Sequence, residues 1–313
     1  MKLFYLTLLT LSSLLFSPIS TYASEVNIDY SVQEVSSAIY YHQGVHQDAN
    51  QQNIGAIANV SFIIGERCVA VIDSGGSYLE GQLLRKAIKL KTELPVCYVI
   101  NSHVHPDHTF GNAAFKADKP IYIGHEKLAA AMRARQAYFA RTFEQLLGAA
   151  YQGTEFIYPD KTVSVNKPLT LDLGNRAITI TAYPTSHTDH DITVFDNSSK
   201  TLWTGDLLFS ERTPVIDGSI NGWIKITKQF LTMEIDTVIP GHGPATAHWQ
   251  QEFYNQLRYL TVIREGVRAI IADLGTIEQA SAVVGLEEQS QWELYEDYHR
   301  RNVTASFVEL EWE

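Results

Sequence analysis

The chain contains little cysteine, with only Cys68 and Cys97 among its 313 residues. Each lies in an apolar run that predicts a buried strand, so the two are either small core residues or one disulfide formed after export. We favour the core interpretation. The chain continues as VAVI after Cys68 and as YVI after Cys97, which are not the surroundings of an activated thiol. This excludes cysteine chemistry as the mechanism.

Positive charge is also scarce, since the chain has 24 lysine and arginine residues but 35 aspartate and glutamate residues, for a net charge of −11. Such a chain lacks the broad basic surface that binds phosphate backbones, so we expect no nucleic acid as substrate or partner. Hydrophobic residues make up 45% of the chain. A chain of this length and composition can bury a substantial core and is typical of a single enzyme domain.

A long hydrophobic run occurs only in the first part of the chain. Residues 1–23 contain Lys2, a leucine-rich run over residues 3–16 and an ending rich in serine and threonine before Ala23. This pattern predicts a cleavable secretory signal, and therefore a periplasmic or secreted protein. The run is short for a membrane span, so an uncleaved signal anchor is the less favoured alternative. No later segment predicts a transmembrane helix, and we expect no membrane association after removal of the signal.

The sequence does have a dense cluster of histidine, because residues 103–108 read HVHPDH. Imidazole nitrogen and carboxylate oxygen are the ligands that suit zinc and neighbouring transition metals. Alternate residues on a bent loop can direct His103 and His105 at one ion, which leaves Asp107 and His108 to face a second. The segment therefore predicts a metal site and not a polar surface loop.

Three later residues extend the cluster, because a site for two metals needs about seven ligands and the first segment supplies four. His187 follows the strand-like residues 177–182 in a loop rich in Pro, Ser, Thr and Asp. Asp206 follows a short predicted strand that ends in a glycine, and His242 lies between two glycines that let the backbone turn sharply. His190 is the main alternative to His187 as a metal ligand. No such argument applies to the remaining histidines, which are His42, His46, His125, His248 and His299.

This pattern, HxHxDH followed by His, Asp and His, resembles that of the metallo-β-lactamase-fold hydrolases over residues 54–247. The resemblance implies two metal ions and assigns their ligands. The first ion would be held by His103, His105 and His187, the second by Asp107, His108 and His242, and Asp206 would bridge them.

Within that family, the chain resembles the quinoprotein relay system zinc metallohydrolases most, through VIDSGG at residues 71–76, residues 101–115 and GDLLF at residues 205–209. This implies an exported quinoprotein system as a partner. The commonest zinc β-lactamases carry a cysteine where Asp206 stands and lack a ligand at the position of His108. The resemblance therefore favours a general hydrolase, with β-lactam cleavage as an alternative activity.

The order of predicted elements indicates an α/β (α+β) protein with an αββα sandwich fold. We predict strands at 54–64, 69–73, 96–100, 121–123 and 237–239, a β-rich stretch at 163–203, and helices at 78–90, 111–116, 125–150, 221–233, 246–274 and 277–313. The predicted organisation is a signal peptide (1–23), an N-terminal segment (24–53), the metallo-β-lactamase-fold core (54–247) and a helical C-terminal extension (248–313).

Aromatic residues are concentrated in two places. Residues 136–156 could form a lid over the metals, but aromatic residues at helical spacing favour packing in the core. The same holds for Trp292, Tyr295 and Tyr298, whose alternative is a contact between subunits.

These observations predict an exported binuclear zinc hydrolase with two Zn²⁺ ions. A water shared by two cations becomes a hydroxide near neutral pH, and Asp107 would orient it for attack on an ester, thioester, lactone or amide-type small molecule. One alternative is a single Fe²⁺ held by His103, His187 and Asp206, which would oxidise a persulfide as in related sulfur dioxygenases. Another is a non-catalytic, metal-bound accessory protein of a quinoprotein system.

Overall fold

The computed structural model describes residues 30–313, and the predicted signal at residues 1–23 lies outside them. Two β-sheets form the centre of the unit that spans residues 31–313. The first has the order β1 to β7, and the second has the order β12-β11-β10-β9-β8. The first sheet contains β1 (Gln33–Ser36), β2 (Ile39–His42), β3 (Val60–Ile64), β4 (Val69–Ile72), β5 (Val96–Ile100), β6 (Ile121–His125) and β7 (Lys161–Val163). The second contains β8 (Leu169–Asp172), β9 (Ala177–Ala182), β10 (Ile192–Asp196), β11 (Thr201–Phe209) and β12 (Thr237–His242).

Apolar side chains of the two sheets pack against each other, as Ile72 and Ile100 of the first sheet share one buried cluster with Ile180 and Trp203 of the second. Helices flank the sheets. They are α1 (Tyr78–Lys91), α2 (Pro106–Thr109), α3 (Leu128–Leu147), α4 (Ile220–Phe230), α5 (Trp249–Ala272), α6 (Ile277–Val283) and α7 (Tyr295–Leu310). A second buried cluster joins α4, α5 and α7 to β11. The predicted αββα sandwich with a helical C-terminal region is confirmed.

Parallel pairing sets where the loops gather. Strands β4 to β7 are parallel neighbours, and β11 is parallel to β12. The carboxyl ends of parallel neighbours lie at the same end of a sheet. The segments that follow β5 and β12 therefore emerge beside the carboxyl ends of the strands next to them. The fold thereby brings loops that are far apart in sequence into reach of one another.

The N-terminal hairpin of β1 and β2 was not part of the predicted elements. It pairs antiparallel with β3 and extends the first sheet. Its turn places Ala38 at a φ of +58° and contains neither glycine nor asparagine, so the usual hairpin signal is absent. The predicted strand at 54–64 begins only at Val60, because Ile54 and Gly55 both have positive φ and break the extended conformation.

The predicted C-terminal helix at 277–313 is interrupted. It consists of α6, a short 3₁₀ segment (Leu286–Gln291) and α7, with breaks where Gly285 and Leu294 adopt positive φ. Trp292 and Tyr295 are buried in the cluster with α5, which is the core interpretation. No helix among residues 30–313 is long and apolar enough to cross a bilayer.

Four of the five aromatic residues of 136–156 pack around Phe110, two residues after His108, whereas Tyr138 is 58% exposed. Phe110 lies edge-on to Phe143 (5.4 Å between ring centroids), Phe156 (5.5 Å) and Tyr151 (5.7 Å). The structure therefore favours helix packing and not a lid.

The two cysteines are free thiols, Cys68 buried and Cys97 half-buried. Burial, and then the neighbouring Cys97 thiol, raise the pKa of Cys68 to about 12. A thiol with so high a pKa is a core residue and not a nucleophile.

Candidate metal centre

The structure brings together all seven side chains that the sequence pattern selects. They form two groups, and within each group the potential ligand atoms lie within 4.8 Å of one another. The first contains His103, His105, His187 and Asp206, and the second contains Asp107, His108 and His242. His190 belongs to neither group, and its Nδ1 lies 2.7 Å from Asp189 Oδ1 instead. The other five histidines also lie outside both groups.

Four segments supply these side chains. The segment after β5 carries His103 and His105 and continues into α2, which carries Asp107 and His108. His187 lies in the loop between β9 and β10, and His242 is the last residue of β12.

Asp206 lies inside β11, whereas the sequence predicted that this strand ends at Gly205. The pairing of β11 with β12 shifts register on both sides of Gly205, which has a φ of +50°. Glycine is needed there for a second reason, because a Cβ would lie 2.5 Å from the Cβ of Ser102. The resulting bulge directs the Asp206 carboxylate toward the histidine segment.

The nitrogens of the first group converge closely. His105 Nδ1 lies 2.9 Å from His103 Nε2 and 3.2 Å from His187 Nε2. Asp206 Oδ2 lies 3.6 Å from His103 Nε2 and 3.5 Å from His187 Nε2. These separations match neighbouring ligand atoms that share one tetrahedral ion.

The second group uses the other oxygen of the same carboxylate. Asp206 Oδ1 lies 3.1 Å from His108 Nε2 and 3.4 Å from His242 Nε2. Asp107 Oδ2 lies 3.4 Å from His242 Nε2 and 3.6 Å from His108 Nε2. Asp206 therefore stands between the groups and presents one oxygen to each.

The remaining nitrogen of every imidazole in the two groups has an acceptor. In order along the chain, the pairs are His103 Nδ1 with Ser102 Oγ (3.0 Å), His105 Nε2 with Asp217 Oδ2 (3.1 Å), His108 Nδ1 with Asp73 Oδ2 (2.8 Å), His187 Nδ1 with the Val215 carbonyl (2.7 Å) and His242 Nδ1 with the Ile57 carbonyl (2.7 Å). A histidine that donates its outer N–H in this way directs the lone pair of its inner nitrogen into the cluster.

These residues fit metal ions. His108 Nε2 and Asp206 Oδ1 are buried atoms without a hydrogen-bond partner in the described part of the chain, although they face each other. Five imidazoles whose outer nitrogens donate elsewhere, together with two carboxylates, are a donor set typical of zinc and related transition metals.

Burial and charge set the protonation state of the metal-free centre. Burial, with neighbouring imidazoles adding to it, lowers the pKa of His103 well below its ordinary value and that of His187 to about 3. Burial opposes ionisation of Asp206, but His108 and His242 outweigh it and hold the pKa of this carboxyl well below its usual range. Burial also opposes protonation of His108, yet the carboxylates around it raise its pKa. In the metal-free centre His103 and His187 are therefore neutral and Asp206 is ionised, whereas His108 must release a proton before it can bind a cation.

Asp73 contacts the candidate centre, which the sequence did not reveal. It follows β4, is buried, and has a φ of +56°. Its carboxylate accepts hydrogen bonds from the Ser102 N–H (2.7 Å) and the Ser102 hydroxyl (2.7 Å), and it lies 2.8 Å from His108 Nδ1. Asp73 thus orients the segment that carries four of the candidate ligands. A carboxylate at the end of an apolar strand was the available signal.

Asp217 was also missed. Its Oδ2 accepts from His105 Nε2 and lies 3.2 Å from an Arg135 nitrogen of α3. Burial opposes ionisation, but the His105 hydrogen bond lowers the pKa of Asp217. A single aspartate in a loop carries no sequence signal for this role.

Glu80 of α1 is a buried carboxyl behind the second group. Its Oε2 accepts a hydrogen bond from the Gly76 N–H (2.7 Å), and its Oε1 has no hydrogen-bond partner among residues 30–313. Burial, assisted by the charge of Asp107 and opposed by the Gly76 hydrogen bond, raises the pKa of Glu80 to about 8.

We expect Glu80→Gln to become progressively more stable than the wild type as the pH rises. The native state holds the Glu80 proton more tightly than the unfolded chain, so wild-type stability declines between the ordinary pKa of 4.5 and the native value of about 8. The decline is about 1.4 kcal/mol per pH unit, and glutamine, which does not titrate, escapes it. Urea unfolding of both metal-free proteins across this range would measure the difference. A stability difference that does not change with pH would contradict the assignment.

Comparison with solved structures supports the fold. A metallo-beta-lactamase from Pontibacter korlensis superposes with a TM-score of 0.59 at 18% sequence identity, covering 74% of this chain and 99% of that one. The stereoselective inverting sec-alkylsulfatase Pisa1 from Pseudomonas sp. superposes with a TM-score of 0.67 at 15% identity, covering 90% of this chain and 50% of the sulfatase. This chain thus aligns with about half of the sulfatase.

Sequence comparison identifies the family. A search of curated proteins found no match. The family model described as the metallo-beta-lactamase superfamily matches residues 54–242, which is more than half of the chain and includes all seven residues of the candidate centre. The chain therefore belongs to the metallo-beta-lactamase superfamily.

Proposed function

We propose that this protein is an exported binuclear zinc hydrolase that acts on an ester, thioester, lactone or amide-type small molecule. The observation that carries the proposal is the position of Asp206, whose Oδ1 lies near the second group and whose Oδ2 lies near the first. A carboxylate that presents one oxygen to each of two ligand groups is suited to hold two cations side by side.

Two cations held there would supply a hydroxide nucleophile near neutral pH and a Lewis acid for the substrate. The protein's own residues divide the remaining work. Asp107 is 14% exposed, whereas His108 and His242 are 0% and 3% exposed, so Asp107 is the open member of the second group. We infer that its carboxylate accepts a hydrogen bond from the attacking water and orients it.

The donor set supports zinc over iron. The iron alternative needs only His103, His187 and Asp206, yet His105 lies in the same group and the second group is complete. A mononuclear iron centre would leave these further ligands without a function. Five imidazoles with two carboxylates favour zinc, although other transition metals accept the same donors.

A sulfate ester is the second candidate substrate. The sec-alkylsulfatase Pisa1 aligns with 90% of this chain, and the metallo-beta-lactamase from Pontibacter korlensis aligns with 74%. The sulfatase likeness thus covers more of the chain. We therefore include sulfate esters and β-lactams in the substrate panel beside carboxylic esters, thioesters and lactones.

Elemental analysis of the protein, expressed from the whole sequence and recovered from the exported fraction of its host, tests the proposal first. We expect about two zinc ions per chain, and we expect a chelator to abolish hydrolysis of the panel until zinc is restored. His187→Ala should lose zinc from the first group. His190→Ala, a change in the same loop outside both groups, should keep both ions.

Each of the following results would contradict the proposal. One iron ion per chain, with oxygen consumed on a persulfide, would establish the sulfur dioxygenase alternative. A protein that holds metal but hydrolyses no member of the panel would favour the metal-bound accessory role in a quinoprotein system, and a protein without metal would contradict the metal centre itself.

A further inference from the structure

One loop outside the ligand segments contacts ligands of both groups. We call residues 210–219 the support loop. Its Val215 carbonyl accepts the hydrogen bond from His187 Nδ1 (2.7 Å), and its Asp217 carboxylate accepts from His105 Nε2 (3.1 Å). Each contact fixes a ring through the nitrogen that points away from the cluster.

The support loop also reaches His242. The Ser210 N–H donates to the His242 carbonyl (3.0 Å), and an Arg212 nitrogen lies 3.3 Å from His242 Nδ1. Three of the five candidate histidine ligands therefore touch this loop.

Close packing couples the loop to the His187 backbone. The Asp217 N–H donates to the His187 carbonyl (3.1 Å). At Gly218, a Cβ would lie 2.5 Å from the Ser186 carbonyl oxygen and 3.0 Å from that of His187. No space separates the two segments, so a displacement of the support loop must also displace His187.

The support loop is held from its other side by α7 of the C-terminal extension. Asn302 is fully buried, and its Oδ1 accepts from the Ile216 N–H (2.9 Å) while its Nδ2 donates to the Pro214 carbonyl (2.5 Å). These bonds lie on either side of Val215. The amide also donates to the Tyr259 hydroxyl of α5 (2.9 Å), which fixes the amide plane.

A second residue of α7 holds the end of the loop. Glu309 accepts from the Ser219 hydroxyl (2.7 Å) and from the Ile220 N–H (2.7 Å). The Ser219 N–H in turn donates to the Ser186 carbonyl (2.8 Å), one residue before His187.

We propose that α7 is a positioning element of the metal centre, in which Asn302 fixes the Val215 carbonyl and thereby the ring of His187. This inference rests on the metal centre of the proposed function but not on the identity of its substrate. When the Val215 carbonyl moves away, the His187 N–H loses its acceptor, and the ring can rotate its Nε2 out of the first group. Loss of such an outer hydrogen bond weakens metal binding by about 10- to 100-fold.

Three variants of the full-length protein test the inference. Asn302→Leu removes both hydrogen bonds to the loop while keeping the same branched shape and the same number of non-hydrogen atoms in the side chain. Glu309→Leu is a milder change at a half-buried position, and it tests the same loop if the first variant folds poorly. Leu310→Ala is the matched control, because it removes buried apolar contact from the same helix but no side-chain hydrogen bond.

Two measurements follow: zinc affinity in competition with a chromophoric chelator, and the imidazole N–H resonances of the cobalt-substituted protein. We expect Asn302→Leu to weaken binding of one ion by about tenfold or more, with faster solvent exchange of the His187 N–H. Glu309→Leu should act in the same direction with a smaller effect. Leu310→Ala should lower the denaturation temperature while leaving zinc affinity and these resonances unchanged.

The outcomes separate this inference from the proposed function. A wild type that binds zinc, with Asn302→Leu and Glu309→Leu within about twofold of its affinity, would overturn the role of α7 alone. An equal loss of affinity in Leu310→Ala would do the same, since it would trace the effect to general destabilisation. A wild type that binds no metal would overturn both.

Discussion

Replacing Asp206 with alanine is expected to lower metal content and hydrolysis together, with the rate falling by about a thousandfold or more, or about 4 kcal/mol of barrier. The reason is that this one carboxylate faces both groups, at 3.1 Å from His108 Nε2 and 3.5 Å from His187 Nε2. Its removal takes a ligand from each group. It also removes the negative charge that would offset the repulsion between two neighbouring cations. Zinc per chain and the hydrolytic rate should be measured on the same preparation.

Asp189→Asn is the matched control for this experiment. Asp189 is a carboxylate near His187 in sequence, but it is half exposed and forms an ion pair with Lys127 at the surface. We expect this variant to retain both zinc ions and its rate within about threefold of wild type. An Asp206→Ala protein with two ions and an undiminished rate would refute the bridging assignment.

Replacing Gly241 with alanine should damage the centre without altering any ligand. A Cβ at this position would lie 2.0 Å from Asp206 Oδ1 and 2.8 Å from the Asp206 nitrogen. The carboxylate oxygen that faces His108 must therefore move, and the β11–β12 pair must adjust. We expect loss of zinc from the second group, together with destabilisation of about 1–3 kcal/mol from overpacking. Zinc titration and urea unfolding would measure the two effects.

Gly65→Ala separates crowding in general from crowding at the centre. A Cβ at Gly65 would lie 2.3 Å from the Leu173 carbonyl oxygen, at a place where none of the candidate ligands occurs. We expect a similar loss of stability with full zinc content. If Gly241→Ala also kept full zinc content, then the Asp206 carboxylate would not be confined as the structure indicates.

The ligand candidates could be predicted because histidine and aspartate side chains, which the sequence shows directly, are the groups that bind metal ions. The HVHPDH segment, His187 and His242 all follow predicted strands, and strand ends are where a sheet exposes its loops. Asp206 could be selected from its glycine neighbour, although the strand continues through it. Its bulge depends on pairing with β12, which local sequence does not encode.

The supporting contacts could not be predicted for a physical reason. His187 and His242 are fixed by the backbone carbonyls of Val215 and Ile57, and every residue has such a carbonyl. The sequence carries no mark of which carbonyl will face a ligand. The N-terminal hairpin escaped prediction in a similar way, because its turn uses Ala38 in a conformation that glycine or asparagine usually adopts.

The hydrogen bonds of Asn302 have a consequence for anyone who would shorten or recombine this protein. A fragment that ends at residue 247 would keep every candidate ligand, yet it would lack the side chain that brackets Val215. Its buried Ile216 N–H and Pro214 carbonyl would lose their partners, which is costly unless water replaces them. A crossover between homologues should therefore keep the support loop and α7 from the same parent. More than seventy positions separate the two segments, but the hydrogen bonds of Asn302 join them.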